Sequence, residues 1–285
     1  MSYQSDFAEE KRNLAHVEGQ IDFVVSEQKA QAKKYQEELR DSWVLSDPES
    51  VEERRYLAST IDSCQKKMQE YAAYKDSPYF GRMDFDVTES GTVMIENEQC
   101  YIGKQDIYSA DHKHIVIDWR NPVGTFFYQK TEKTFHVNEF EYTLLLRRAL
   151  DIKGGALRKL ETEFDGADVS LEGDVIDPFL LTVLKDKRRH TRLTDIIRTI
   201  QGNQNSIIRK PIDESFVVQG CAGSGKTMIL LHRLSYLMYN NPRLNLAGIK
   251  VITPNRFFDE HIDDLSRELG LTGSSGIPWK NTTIT

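Results

Sequence analysis

Glycine and proline are nearly missing from the first quarter of the chain: between residues 4 and 75 there is one of each, Gly19 and Pro48. A stretch so poor in turn formers and so rich in Glu, Gln, Lys and Ala reads as helix on both sides of Pro48. Cysteine is scarce too. Cys64, Cys100 and Cys221 are too few and too scattered for a disulfide framework or a zinc site, which suits a reducing cytoplasm. No apolar run has the length of a membrane span, and the N-terminus carries charge where a secretory signal needs an apolar core, so a soluble, cytoplasmic protein is expected. An excess of positive charge is also absent. With 37 Lys and Arg against 44 Asp and Glu the net charge is −7, and the chain as a whole does not advertise a nucleic-acid binder. What remains is 285 residues, 39% hydrophobic, enough for two or three units.

The expected architecture is α+β and multidomain. In residues 1–76, Phe7, Leu14, Val17, Ile21, Val24 and Tyr35 recur at spacings of seven, three and four, and Leu57, Ile61, Cys64, Met68 and Tyr71 alternate four and three. That pattern predicts two helices with coiled-coil seams, joined at Ser46-Asp47-Pro48-Glu49 as an antiparallel hairpin with arms of about 40–60 Å. Its tip is acidic. Asp41, Asp47, Glu49, Glu52 and Glu53 lie in a span without lysine or arginine, around Trp43, Val44 and Leu45. Helix capping in solvent accounts for the carboxylates. Three adjacent apolar residues point instead to a tip that meets a partner or approaches a metal ion.

Residues 77–176 change period. The runs 92–95, 100–104, 115–119, 125–128 and 142–150 predict short strands of a small antiparallel sheet or barrel, with Gly154-Gly155 as a hairpin turn. Asp118-Trp119-Arg120-Asn121-Pro122 is either a ligand contact or a structural strand end. Residues 177–285 read as the start of a P-loop α/β domain. Between Lys185 and Lys210 eight Lys and Arg face two Asp, which is either a solvated helix face or a phosphate track. Phe216 to Gln219 predicts a buried strand, followed by Gly220-Cys221-Ala222-Gly223-Ser224-Gly225-Lys226-Thr227 and an apolar helix. This G-x-x-x-x-G-K-T run is the strand, loop and helix of a nucleoside triphosphate site. Its glycines let backbone amides converge on phosphates, Lys226 adds a charge, and Thr227 offers an oxygen to Mg²⁺. Gln204, upstream, can satisfy a donor and an acceptor on an adenine edge. Residues 248–255 predict a second strand and 257–269 a helix.

The segments around Gln204, Gly220 to Thr227 and Ile252-Thr-Pro-Asn255 are similar to the Q motif, motif I and motif Ia of UvrD/Rep-like superfamily 1 helicases. With the acidic hairpin, Ser77-Pro-Tyr-Phe-Gly-Arg-Met-Asp-Phe85, Asp118 to Pro122 and Asp177-Pro-Phe-Leu-Leu181, the chain resembles the HelD branch, bacterial ATPases that bind RNA polymerase and help release it from nucleic acid. The resemblance implies ATP and Mg²⁺ as cofactors, with Gln204 reading adenine, Gly220 to Lys226 cradling the phosphates and Thr227 on the metal. It also implies bacterial core RNA polymerase as partner, met by the tip residues Asp41, Trp43, Asp47, Glu49, Glu52 and Glu53. No Walker B pair or arginine finger is evident, so no catalytic residue is assigned, and ATP hydrolysis is expected of a longer protein. The alternative is an ATP-dependent DNA translocase of the UvrD/Rep type.

Overall fold

The computed structural model describes residues 3–43, 48–109, 111–130, 132–166, 202–220, 225–244, 249, 252–253 and 282–283. The chain divides into two compact units, residues 1–118 with 138–173, and residues 119–137 with 174–285.

The first unit opens with helix α1 (Tyr3–Ser42) and helix α2 (Pro48–Tyr74). Arg54 donates from Nη1 to the Ser42 carbonyl at 3.0 Å, near the connection, while Lys75 Nζ meets Asp22 Oδ2 at 2.8 Å. The two helices therefore run antiparallel. Their buried faces are the predicted stripes, Leu14, Val17, Ile21 and Val24 on α1, and Leu57, Ile61, Cys64 and Tyr71 on α2. Because residue 75 lies opposite residue 22, the first turns of α1 extend beyond the end of α2. A sheet takes over as their support, and Leu14, Val17 and Ile21 share one core cluster with Tyr79, Leu150 and Leu157.

That sheet comprises β1 (Gly81–Glu89), β2 (Thr92–Gly103), β3 (Ile107–Tyr108), β4 (His114–Asp118), β6 (Phe140–Lys153) and β7 (Ala156–Asp165); β5 (Thr134–Val137) is assigned to the second unit. Across the first unit the strand order is β3-β4-β2-β1-β6-β7. The expected sheet was wholly antiparallel, but the observed one is mixed. β2 and β4 are parallel, with Tyr101 opposite Val116 and Gly103 opposite Asp118. The cause is β3, which pairs antiparallel with β4 and gives the chain one extra reversal before β4 settles beside β2. Runs 92–95 and 100–104, expected as separate strands, are parts of one long β2. Between β6 and β7 the turn falls as predicted. Gly154 and Gly155 take φ of 62° and 68°, the left-handed pair of a two-residue hairpin, and their amides are held by Asp76.

The junction of α1 with the sheet is ionic. Tyr101, Arg82 and Arg148 are cross-strand neighbours on β2, β1 and β6. Arg82 grips Asp84 through two bonds of 2.7 Å and reaches Glu9 and Glu10 of α1 at 2.7 and 2.8 Å. Arg148 meets the same Glu10 oxygen at 2.8 Å and Asp6 at 3.0 Å. Glu10 is fully buried and Arg82 almost so. Burial opposes the charge of Arg82, but Asp84, Glu9 and Glu10 outweigh it and raise its pKa. Burial likewise opposes ionisation of Glu9, and Arg82 overcomes it, holding that carboxyl below its usual range. Glu10 occupies the apolar stripe of α1, four residues before Leu14, so the seam that starts as hydrocarbon ends as a buried salt bridge.

The second unit contains a 3₁₀ turn at Pro122–Gly124, α3 (Thr125–Tyr128), β5, α4 (Gly202–Ile208), α5 (Lys226–Asn240), and the short strands β8 (Ile252–Thr253) and β9 (Thr282–Thr283), which pair in parallel. Two expectations are corrected here. Thr125 to Tyr128 is helix, not strand. Asn121 Oδ1 accepts the Val123 amide at 3.0 Å and Pro122 presets the turn, while Phe126, Phe127 and Tyr128 are all buried, leaving no alternation for a strand to use. Phe216 to Gln219 forms no strand and is not buried, with Val217 at 93% exposure. A strand exists only beside another, and the described residues place none against this one. The readings for Val44 to Asp47, residues 177–201, Cys221 to Ser224 and the helix at 257–269 lie outside the described residues.

Candidate functional site

The glycine-rich loop delivers the chain into α5. Gly225 sits at the helix N-cap with φ 80° and ψ 15°, a left-handed conformation that its missing side chain makes cheap. Lys226 and Thr227 are the first two helical residues, and Ile229 N closes the first turn on Gly225 O at 3.0 Å. The amides of that turn have no intrahelical acceptors and carry the positive end of the helix dipole. Lys226 Nζ donates to Gly220 O at 2.9 Å, so the ammonium turns back to the residue that opens the glycine-rich run. These features fit a phosphate chain. Of the loop residues expected to cradle it, Gly220 is exposed, and Cys221, Ala222, Gly223 and Ser224 lie outside the described residues.

Beside Lys226 and Thr227 is a cleft of about 600 Å³, walled by Ile207, Ile212, Phe216 and Leu230. It pairs a charged rim with an apolar wall, as a site for a nucleotide needs. Gln204 lies on α4, half-buried, and is not among the residues of that wall. Lys226 and Thr227 thus line the cleft, while Gln204 lies on the same helix as its wall residue Ile207, three residues before it and outside the lining.

Two arginines hold these pieces in place: Arg209, counted above in the basic 185–210 run, and Arg233, which the sequence reading passed over. Arg233 Nη1 donates to the carbonyls of Ile208 and Lys210 at 3.2 and 2.7 Å, and Nη2 to Pro211 at 2.9 Å, with the guanidinium 4.8 Å from the Phe216 ring. It ties the end of α4 to α5. Arg209 donates to Asn205 Oδ1 at 2.9 Å and to the Asn121 carbonyl at 3.0 Å. Asn121 belongs to the Trp119-Arg120-Asn121-Pro122 run, whose role is structural: Arg120 bonds Ser235 at 3.0 Å and stacks on Tyr239, and the Trp119 ring packs edge-on against His232. The available signal was a polar pair, His232-Arg233, inside an apolar helix.

His232 is fully buried, its Nδ1 donating to Met228 O at 2.7 Å. Burial drives its pKa down from 6.5 to about 4. The unfolded chain therefore binds a proton that the folded one refuses between these values, and stability is full above pH 6.5 and falls as pH drops toward 4. The expected loss is on the order of 3 kcal/mol. Urea melts of the wild type and His232→Gln across that range check it, because the variant should lose distinctly less.

At the helix-pair tip, Asp41, Glu52 and Glu53 are exposed, Asp47 lies outside the described residues, and of the Glu49 side chain nothing is described. Trp43 is 70% exposed, with Arg54 stacked 5.0 Å from its ring. Among the described residues no cluster of His, Cys, Asp or Glu is arranged to hold a metal ion, and no helix is long and apolar enough to cross a membrane.

The family described as the N-terminal domain of DNA helicase IV, HelD, matches residues 7–173, more than half of the chain. The chain belongs to the HelD family. No curated protein matches it. The HelD match takes in the antiparallel helices, the ionic junction and the mixed sheet, and marks the chain as helicase-related. It ends before Gln204 and the glycine-rich loop, so those residues rest on their motif and their geometry.

Proposed function

We propose that this chain is the ATP-binding part of a HelD-like motor that engages RNA polymerase through the acidic tip of its helical hairpin and helps release it from nucleic acid. The observation that carries the reading is Lys226-Thr227 at the head of α5, behind a left-handed Gly225 and beside the apolar cleft, in a HelD-family chain. In this reading the helix amides and Lys226 hold the β- and γ-phosphates, and Thr227 presents its hydroxyl to the Mg²⁺ that neutralises them. The base enters the cleft wall near Phe216, and Gln204 on α4 reads its edge across the Arg233 tie. The bond from Lys226 to Gly220 O opens as the phosphates enter. The hairpin tip offers Asp41, Glu52 and Glu53 as exposed carboxylates around Trp43, a pattern suited to a basic channel.

A DNA translocase is the second reading, favoured by the family's description as a DNA helicase. The two are separated by titrating labelled chain with core RNA polymerase and with single-stranded DNA at two salt concentrations. The proposal expects binding to polymerase. Strongly salt-dependent DNA binding without polymerase binding would sink it.

A further inference from the structure

One end of the first unit's sheet is exposed in a way that its core does not require. β2 pairs with β4 only at Tyr101 to Gly103, so among the described residues its outer stretch, 92–100, has β1 as its one strand neighbour. That stretch carries three consecutive large apolar side chains, Val93, Met94 and Ile95, at 50, 56 and 45% exposure, and Phe140 is exposed at the start of β6 nearby, sharing Glu89 of β1 as cross-strand neighbour with Thr92. Isolated apolar residues on a surface are ordinary, but a run of three on an open strand is a docking signal or a liability.

The surrounding charge decides what kind of partner fits. Asp86, Glu89, Glu96 and Glu98 lie on β1 and β2, Glu139 and Glu141 at the start of β6, and residues 85–103 contain no lysine or arginine. Six carboxylates around an apolar strip repel nucleic acid and anionic lipid and favour a protein segment that interleaves lysine or arginine with apolar residues. The backbone speaks to the mode of contact. The β1–β2 register slips twice, between Phe85 and Val87 and between Val87 and Thr88, and Asn97 takes φ 51° with its amide held by Asp86 Oδ1 at 2.8 Å. Such bulges blunt an edge against indiscriminate strand pairing, so recognition falls to the side chains.

We infer that the outer end of the β1–β2 hairpin is a second protein-docking surface, separate from the helix-pair tip, and that its occupant is a basic, apolar segment of a protein partner. The inference is independent of the nucleotide reading.

The probe is a labelled synthetic peptide of about twelve residues alternating lysine with valine or isoleucine, compared with its glutamate counterpart. Anisotropy should show binding of the lysine peptide alone, weakened when salt rises from about 0.05 to about 0.3 M. Hydrogen exchange should slow at residues 92–98. Met94→Lys should weaken binding at least about tenfold, and Tyr56→Ala, an exposed position on α2, should leave it unchanged. Both sites are exposed, so unchanged melting curves are expected and show that each variant folds. Equal binding of the two peptides, indifference to Met94→Lys, protection confined to other residues, or a hairpin occupied by a second copy of the chain would each overturn the inference.

Discussion

Lys226→Ala is expected to weaken MgATP binding by about 100-fold or more while leaving the fold intact, since the lost interaction is a charge-assisted contact with phosphate in a partly sheltered site. Lys226 is only half-buried at the head of α5 and bonds a loop carbonyl, so its removal strands no buried charge. The check is a competition titration with a fluorescent ATP analogue, run beside a melting curve. An affinity change of less than about threefold would show that the cleft and helix start do not hold a triphosphate. Lys226→Arg separates charge from shape: the point charge remains, but the bulkier guanidinium replaces a compact ammonium, and recovery should be partial at best.

The second large effect belongs to Glu10. Its carboxylate is fully buried between Arg82 and Arg148 and accepts from both, so Glu10→Ala leaves two buried guanidinium groups short of a counter-charge. Breaking a buried pair from one side costs about 3–5 kcal/mol, far more than the net worth of the pair. Because Glu9, Asp6 and Asp84 still face the arginines, the expected loss is at the lower end, about 3 kcal/mol, read as a drop in the urea midpoint. Replacing Arg82 and Arg148 with methionine and Asp84, which Arg82 alone bonds, with leucine in the Glu10→Leu background leaves no buried charge unpaired and should restore much of that loss. A cost below about 0.5 kcal/mol for Glu10→Ala would mean that water, not protein, solvates these charges.

How much of this was legible in the sequence differs by element. The stripes at Leu14, Val17, Ile21 and Leu57, Ile61, Cys64 emerge as the buried faces of two helices because period 3.6 is a property of the backbone alone. Gly154-Gly155 was equally plain, since few residue pairs accept two positive φ values. The ionic junction was not. Glu10 sits in phase with the α1 stripe and should have been questioned, but its partners lie more than seventy residues away, and nothing local announces that Arg82 and Arg148 pair across β1 and β6. Thr125 to Tyr128 misled through its aromatic β propensity, where the Asn121 and Pro122 turn had already set the backbone. At the candidate site, Lys226 and Thr227 were read from the motif, whereas Arg233 and Arg209 act through carbonyl oxygens, which leave no mark in side-chain chemistry.

The central claim is that this HelD-family chain meets RNA polymerase through its helical hairpin. It is tested most directly by size-exclusion co-elution with purified bacterial core enzyme, beside a variant in which Asp41 to Glu53 is replaced by a Gly/Ser loop. The account predicts that the intact chain co-elutes and the variant does not. Co-elution of both, or of neither at micromolar concentration and moderate salt, would contradict it.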